Sequence, residues 1–297
     1  MRWNRKMQPN RRCGVLQGAR LTPRPKFASD SGWESEMIQL TPRKLKVAAL
    51  RAQMKLHILG CGDAFGSGGR LQSGYLFQAP DRLFLLDCGP TTLLAMKRIG
   101  IDPSRLDLVL LSHLHGDHCA GLPFFFIDYL YRNPRRQPLQ IAGPPGTEKK
   151  ITELFRLMYG AGRDSNELPP TCFHILNPDE PVSIAGIQVL PFAVPHQSHE
   201  VSLGLSVSYG GKQILFSGDS AWTDLFIDRA RGVDLFLCEC SFYDQPVGAH
   251  VSFLKLRENL PRLECKKLLL THLGDEMLAR QKELPVTLAE DGMIIDL

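Results

Sequence analysis

A chain of 297 residues with 43% hydrophobic content can bury a large core, and length alone allows one or two domains. No window is apolar enough to span a membrane and the leading residues lack the apolar stretch of a secretory signal, which argues against a membrane protein and a secreted one. The formal net charge of +4 is unevenly spread: residues 1–53 hold 12 Lys plus Arg against 3 Asp plus Glu, leaving 23 basic and 28 acidic groups in residues 54–297.

The Pro- and Arg-rich residues 1–53 are expected to be a basic, disordered extension, with a transit peptide or a nucleic-acid-binding arm as the sharper readings. Residues 54–297 are read as one domain. Lys55 to Leu59 and Ser73 to Phe77 predict strands around the Gly-rich loop Gly60 to Arg70. No Gly-Lys-Ser/Thr opens a helix after that loop, so it is not a Walker motif. It is expected to be a flexible loop at the rim of a site, with Arg70 available to an anionic substrate. Leu83 to Leu86 predicts another strand, and Pro90 starts a helix that ends at Gly100.

The apolar run Leu106 to Leu111 runs straight into Ser112-His113-Leu114-His115-Gly116-Asp117-His118. Three imidazoles and a carboxylate at the end of a buried strand predict a metal site. His113 and His115 leave the same face of an extended segment and can grip one ion, while Asp117 and His118 turn the other way. A solvated polar turn is the bland reading, and this density of His argues against it.

The aromatic run Phe124 to Tyr129 predicts a core-facing helix, with the lining of an acyl pocket as the alternative. From Glu148, the spacing of Ile151, Leu154, Phe155 and Met158 predicts an amphipathic helix ending before Gly160. Val182 to Phe192, Val201 to Tyr209 and Gln213 to Phe216 predict strands, the last two joined by the hairpin turn Tyr209-Gly210-Gly211-Lys212. Leu235 to Cys240 and Lys267 to Thr271 predict buried strands, with a helix from Ser252 to Leu260 between them. Cys238 and Cys240 are expected to pack as small buried groups on one strand face. With no paired zinc-ribbon spacing among the eight Cys, a reducing, cytoplasmic home follows. His57 and His174 alternate with apolar neighbours and are expected to be packed or rim residues.

His113-x-His115-x-Asp117-His118, followed by His196 in Phe192-Ala193-Val194-Pro195-His196, Asp219 in Ser217-Gly218-Asp219-Ser220 and His272 in Leu270-Thr271-His272, resembles the ordered signature of metallo-β-lactamase-fold hydrolases. The resemblance runs from about Met54 to the C-terminus. It implies an α/β (α+β) fold, the four-layer αββα sandwich, with metals at the edge where loops from both sheets meet. It further implies that His113, His115 and His196 hold one ion and Asp117, His118 and His272 another, with Asp219 bridging and Asp87 orienting the metal loop. His199 competes with His196, which is preferred because it follows its strand directly.

Two divalent ions, zinc above manganese or iron, imply hydrolysis by a hydroxide held between them, which Asp117 could also steer. His250 resembles the extra His of the phosphodiesterase branch, able to hold a phosphoryl oxygen or protonate a leaving alkoxide. Its bland reading is a helix-entry His with Ser252 as the cap.

Leu59-Gly60-Cys61-Gly62-Asp63, the Arg70 loop, the Leu122-Pro123 step and Ala142-Gly143-Pro144-Pro145-Gly146 are similar to ribonuclease Z and its short phosphodiesterase relatives. That family commonly projects a long tRNA-binding arm between the third His and the bridging Asp. The 22 residues between His196 and Asp219 hold one hairpin, and the acidic balance of the folded part opposes a large polyanion. The expected substrate is therefore a small phosphodiester or short nucleic acid, such as a cyclic nucleotide. An ester, thioester or lactone hydrolase on the same metals is the alternative, and a non-catalytic scaffold of the same fold is a third. The sequence does not fix the oligomeric state, and a homodimer is allowed.

Overall fold

The computed structural model describes residues 54–160, 168–244 and 248–297. The segment 1–53, expected to be an extension, lies outside the described residues. Two seven-stranded sheets carry the fold. The first is built from β1 Lys55–Gly60, β2 Gly74–Gln78, β3 Leu83–Leu86, β4 Leu108–Leu110, β5 Leu139–Gly143 and β6 Thr171–Ile175. The second takes β7 Val182–Ile184, β8 Ile187–Ala193, β9 Leu203–Tyr209, β10 Lys212–Phe216, β11 Leu235–Glu239, β12 Leu268–Thr271 and β13 Thr287–Leu288. The chain then returns to the first sheet, where β14 Ile294–Asp296 pairs antiparallel with β1.

Strand side chains alternate between two apolar environments, which is why these runs lack a polar face. In β4, Leu108 and Leu110 join the core between the sheets, while Val109 and the following Leu111 point to the outer layer. In β11, Leu235 and Leu237 point inward, and Phe236 and Cys238 outward. The outer face of the first sheet is covered by α1 Thr92–Arg98, α3 Leu122–Tyr131 and α4 Thr147–Tyr159; α2 Gly116–Cys119 opens the metal loop. The second is covered by α5 Leu225–Ala230, α6 Phe253–Asn259 and α7 Asp275–Ala279. Three buried clusters, one between the sheets and one outside each, make the four layers αββα.

The structure departs from the expected elements in places. The run Val182 to Phe192 is two strands, because Ala185 and Gly186 both take positive φ (51° and 83°) and turn the chain. A left-handed Ala is rare, so Ala185 itself does not signal that turn; Gly186 is the residue that does. The edge strands β6, β13 and β14 and the inner β5 were not predicted. At the expected hairpin, Gly210 and Gly211 have φ of 57° and 78°, the left-handed pair that a two-residue turn requires.

Strand direction positions the site. β3 to β6 run parallel, as do β10 to β13, so many strands end at one edge. Asp87 follows β3, the His-rich loop follows β4, Glu239 ends β11 and His272 follows β12. Groups at the carboxyl ends of parallel strands face a common crevice.

Candidate metal centre

Asp87 is fully buried and takes a positive φ of 56°. A buried, unpartnered carboxylate would cost several kcal/mol. Here its oxygens accept from the Ser112 N–H (2.8 Å), the Ser112 hydroxyl (2.9 Å) and His118 Nδ1 (2.7 Å). The Cys88 N–H donates to the His118 carbonyl (2.7 Å), so the segment after β3 clamps the metal loop at two levels.

With Nδ1 of His118 occupied, its Nε2 faces inward, 3.1 Å from Asp117 Oδ2 and 3.3 Å from Asp219 Oδ2. The other imidazoles are tied in the same way. His196 Nδ1 donates to the Ala249 carbonyl (2.9 Å), His113 Nδ1 meets the Ser112 hydroxyl (3.0 Å) and His272 Nδ1 meets the Ser241 hydroxyl (2.9 Å). Fixing one ring nitrogen on an outer partner aims the other. His115 is the exception, presenting Nδ1 at 3.2 Å from His196 Nε2.

Among the described residues four overlapping groups of donor atoms lie within 4.8 Å of one another: His113, His115 and His196; Asp117, His118, Asp219 and His272; and two that include His250, with His196 and Asp219 or with Glu239 and His272. The first two match the expected donor sets. Asp219 Oδ2 lies between them, 3.3 Å from His272 Nε2, 3.8 Å from His113 Nε2 and 4.0 Å from His196 Nε2. Gly218 delivers it, with a φ of 58° and room for no Cβ, which would sit 2.6 Å from the Leu203 carbonyl oxygen. His272 itself has a positive φ of 55°. Strained backbone at Asp87 and His272 costs of order 1–3 kcal/mol each, a cost concentrated where side chains must be aimed.

The donor set fits divalent cations. His113 Nε2 is buried with no hydrogen-bond partner, and a cation would occupy it. Burial, then the neighbouring imidazoles, push the His113 pKa well below its usual value, and burial lowers His115 as well, so both are neutral and ready to ligate. Burial opposes charge on His118 and His272 too, but the carboxylates beside them outweigh it. His118 is raised well above its ordinary value and His272 to about 9, with Asp219 the main carboxylate acting on each. Burial likewise opposes ionisation of Asp117 and Asp219, and His118 more than reverses it, holding both well below the carboxylate range.

His250 stands beside this nest. Its Nδ1 contacts Glu239 Oε1 at 2.9 Å, and its ring lies 5.0 Å from that of His196. Glu239 is buried and also accepts from the Ser220 N–H (2.7 Å) and the Ser241 hydroxyl (3.0 Å). Burial alone would lower the His250 pKa, but the bond to Glu239 and its charge raise it. Glu239 is not among the residues expected from sequence, although a carboxylate within the apolar run Leu235 to Cys240 is a signal, since such a group must find partners. Cys238 and Cys240 on either side of it are buried packing groups, as expected.

A cavity of about 540 Å³ opens on the nest, lined among others by Asp63, Phe65, Phe242, His250, Asp275 and Glu276. Among the described residues no Lys or Arg lines it. Arg70 must be corrected: its Nη1 donates to the Ala289 carbonyl and lies 3.0 Å from Cys61 Sγ, tying the loop to the C-terminal segment and away from the cavity. The loop is pinned instead of free, because Asp63 accepts from the Phe65 and Ser67 N–H groups and the Ser67 hydroxyl. The helix from Leu122 buries Phe125, Phe126 and Tyr129 in the outer layer, so the aromatic run is core. His199 is exposed, His57 meets Gln78 (3.0 Å) and His174 meets Gln140 (2.7 Å), all apart from the donor sets.

The family model for anti-Pycsar protein Apyc1 matches residues 54–294. The chain belongs to that family. Relatives of this Apyc1-family chain include the uncharacterized protein ML1173 of Mycobacterium leprae, 30% identical over 225 residues, covering 74% of this chain and 78% of the relative. The probable metallo-hydrolase YhfI of Bacillus subtilis is 30% identical over 233 residues, 74% of this chain and 87% of its own. Its crystal structure, a metallo-β-lactamase-fold protein, superposes with a TM-score of 0.68 at 24% identity over 82% of this chain and all of that one. Human tRNase Z, short form, gives a TM-score of 0.67 at 24% identity over 81% and 98%. The chain thus has the metallo-β-lactamase fold of the ribonuclease Z-like branch, within the metal-dependent hydrolases. Among the described residues no helix is long and apolar enough to cross a membrane.

Proposed function

We propose that the chain is a phosphodiesterase for small substrates that works with two divalent ions, zinc in the first instance, in the cytoplasm. The observation that carries this reading is His250 on the wall of the metal cavity with Glu239 buried behind it.

His113, His115 and His196 would hold one ion, Asp117, His118 and His272 the second, and Asp219 would reach both. Ions held there would supply Lewis acidity toward a phosphoryl oxygen and a hydroxide nucleophile at neutral pH. The chain's own groups complete the reaction. His250, its pKa raised by Glu239, carries a proton toward neutral pH and gives it to the departing alkoxide. Glu239 keeps the ring oriented and stabilises its charged form. Asp87 fixes the His118 ring, and Asp117 would steer the nucleophile.

Size and charge limit the substrate. A cavity of about 540 Å³ suits a mononucleotide-sized ligand. Among the described residues no Lys or Arg stands on the wall, so phosphate charge would be offset there by bound ions alone, which disfavours a long polyanion. The interval between His196 and Asp219 is spent on β9 and β10, which lie inside the sheet and project no arm. The ester or lactone alternative loses its acyl pocket, because Phe125, Phe126 and Tyr129 are buried in the outer layer. The substrate class proposed is a small phosphodiester such as a cyclic nucleotide.

Turnover by metal-loaded protein on bis-p-nitrophenyl phosphate, a 2′,3′-cyclic nucleotide, a thioester, a lactone and a precursor tRNA tests the reading. The two small phosphodiesters should be preferred. Efficient, site-specific removal of the tRNA 3′ trailer with feeble action on small substrates would overturn it.

A further inference from the structure

We infer that Phe65 is the platform on which this site holds a flat ring of its substrate, and that the rim beside it admits only one phosphate charge. The inference rests on the phosphodiesterase reading above and deepens it.

Phe65 is 89% exposed, yet it lines the same cavity as the metal donors. An aromatic side chain left in water forgoes the burial that normally holds it, so its position needs a cause. The loop prevents its collapse. The Phe65 N–H donates to Asp63 Oδ1 (3.1 Å), the Ser67 N–H to the same oxygen (3.0 Å) and the Ser67 hydroxyl to Oδ2 (2.7 Å). The Gly68 N–H donates to Asp275 Oδ1 (3.0 Å), which ties the loop to α7. The ring is displayed on a fixed tip, and with two rotatable bonds it loses little freedom when a ligand covers it. A second ring, Phe242, lines the cavity 5.9 Å from the His250 ring, so the space next to the proton donor is also aromatic.

The rim supplies the charge filter. Asp275 and Glu276 line the cavity, and each carboxylate is fixed by a backbone donor, the Gly68 N–H and the Tyr243 N–H (3.0 Å). One phosphate can meet the cations at the nest. A second would meet these carboxylates with no Lys or Arg among the described lining residues to offset them. Every nucleobase presents a π-face, so the platform should tolerate any base while requiring one.

The test compares adenosine 2′,3′-cyclic phosphate with 1-O-methylribose 2′,3′-cyclic phosphate, which lacks the ring, and with the 5′-phosphorylated form of the first, which adds charge. In zinc-loaded protein, Phe65→Ala should cut the preference for the ring-bearing substrate by about tenfold, through KM, and Phe65→Tyr should retain it. Asp275→Asn with Glu276→Gln, which keeps both acceptors, should narrow discrimination against the 5′-phosphate by about tenfold. A second arm needs no turnover: calorimetric binding of adenosine 5′-monophosphate against ribose 5-phosphate. Equal affinity for these two, or a ring preference that survives Phe65→Ala, overturns the platform. A charge discrimination untouched by the double variant overturns the filter. Protein that shows the Phe65-dependent ring preference in binding but hydrolyses no phosphodiester keeps the platform and sinks the phosphodiesterase reading.

Discussion

Glu239 Oε1 meets His250 Nδ1 at 2.9 Å, joining the end of one parallel strand to a loop residue eleven positions later. A buried carboxylate behind an imidazole both orients the ring and favours its protonated form. The pair supplies a physical basis for the proton-donor role proposed for His250, which the family resemblance already suggests, with its ring on the cavity wall.

His250→Ala should therefore lower kcat by about 10²- to 10⁴-fold, the usual weight of a general acid. The sign of the pH effect follows from the raised pKa: His250 keeps its proton below that value and loses it above, so turnover falls on the alkaline side. Glu239→Gln removes the stabilising charge and should move that alkaline limb to lower pH. A pH–rate profile that superimposes on that of the parent protein would remove Glu239 from this role.

Among the described residues, Asp219 is the single carboxylate placed between both donor sets. Asp219→Ala should cost at least one bound ion and more than the roughly 10- to 100-fold in affinity or activity expected for an outer partner such as Asp87. Metal content by mass spectrometry beside turnover checks both. Two retained ions and normal turnover would refute the two-ion arrangement.

Much of this site is legible in the sequence because metal ligation demands particular residue types at strand ends. The His-x-His-x-Asp-His run is read directly from its density at the end of an apolar strand, whereas His196, Asp219 and His272 are read through the family resemblance. What escapes is the layer behind them. Glu239 looks like one polar interruption between two Cys, and its partners Ser220 and His250 arrive from separate elements. Arg70 fails for the opposite reason: a loop cation suits an anionic substrate, but tertiary packing gives it to the Ala289 carbonyl. The fold is legible where buried strands alternate. It is not legible at Ala185, where a left-handed Ala turns the chain.

His196 and His199 offer a paired comparison. His196 is held by the Ala249 carbonyl and faces His115, whereas His199 is exposed. His196→Ala should weaken metal binding by at least about tenfold, and His199→Ala should leave it within error. The reverse order in metal titrations would show that the wrong imidazole has been assigned.

Metal uptake should release protons. In the metal-free protein His118 and His272 hold protons to high pH, His272 to about 9, and each must surrender one to ligate. Affinity should rise with pH, by about tenfold per unit for each proton displaced, with the His272 contribution levelling off above about 9. Chelator competition at several pH values measures this, and affinity independent of pH between 6 and 8.5 would show that the carboxylates do not hold these imidazoles charged.

The remaining prediction concerns residues 1–53, proposed to be dispensable. The described fold closes on itself at Met54, which is 2% exposed within the core between the sheets and whose carbonyl accepts from the Leu297 N–H at 2.9 Å. β1 then pairs with β14 on one side and β2 on the other, with Lys55 opposite both Asp296 and Gln78. The first strand is thus satisfied from its first residue, and the family match begins at the same Met54. A Pro- and Arg-rich segment buries too little apolar surface to offset its ordering entropy, so its removal should cost little stability. Protein beginning at Met54 should match the full chain in melting temperature, metal content and turnover on small phosphodiesters. Failure to fold, or loss of most of the turnover with metals still bound, would show that the first 53 residues belong to the working enzyme.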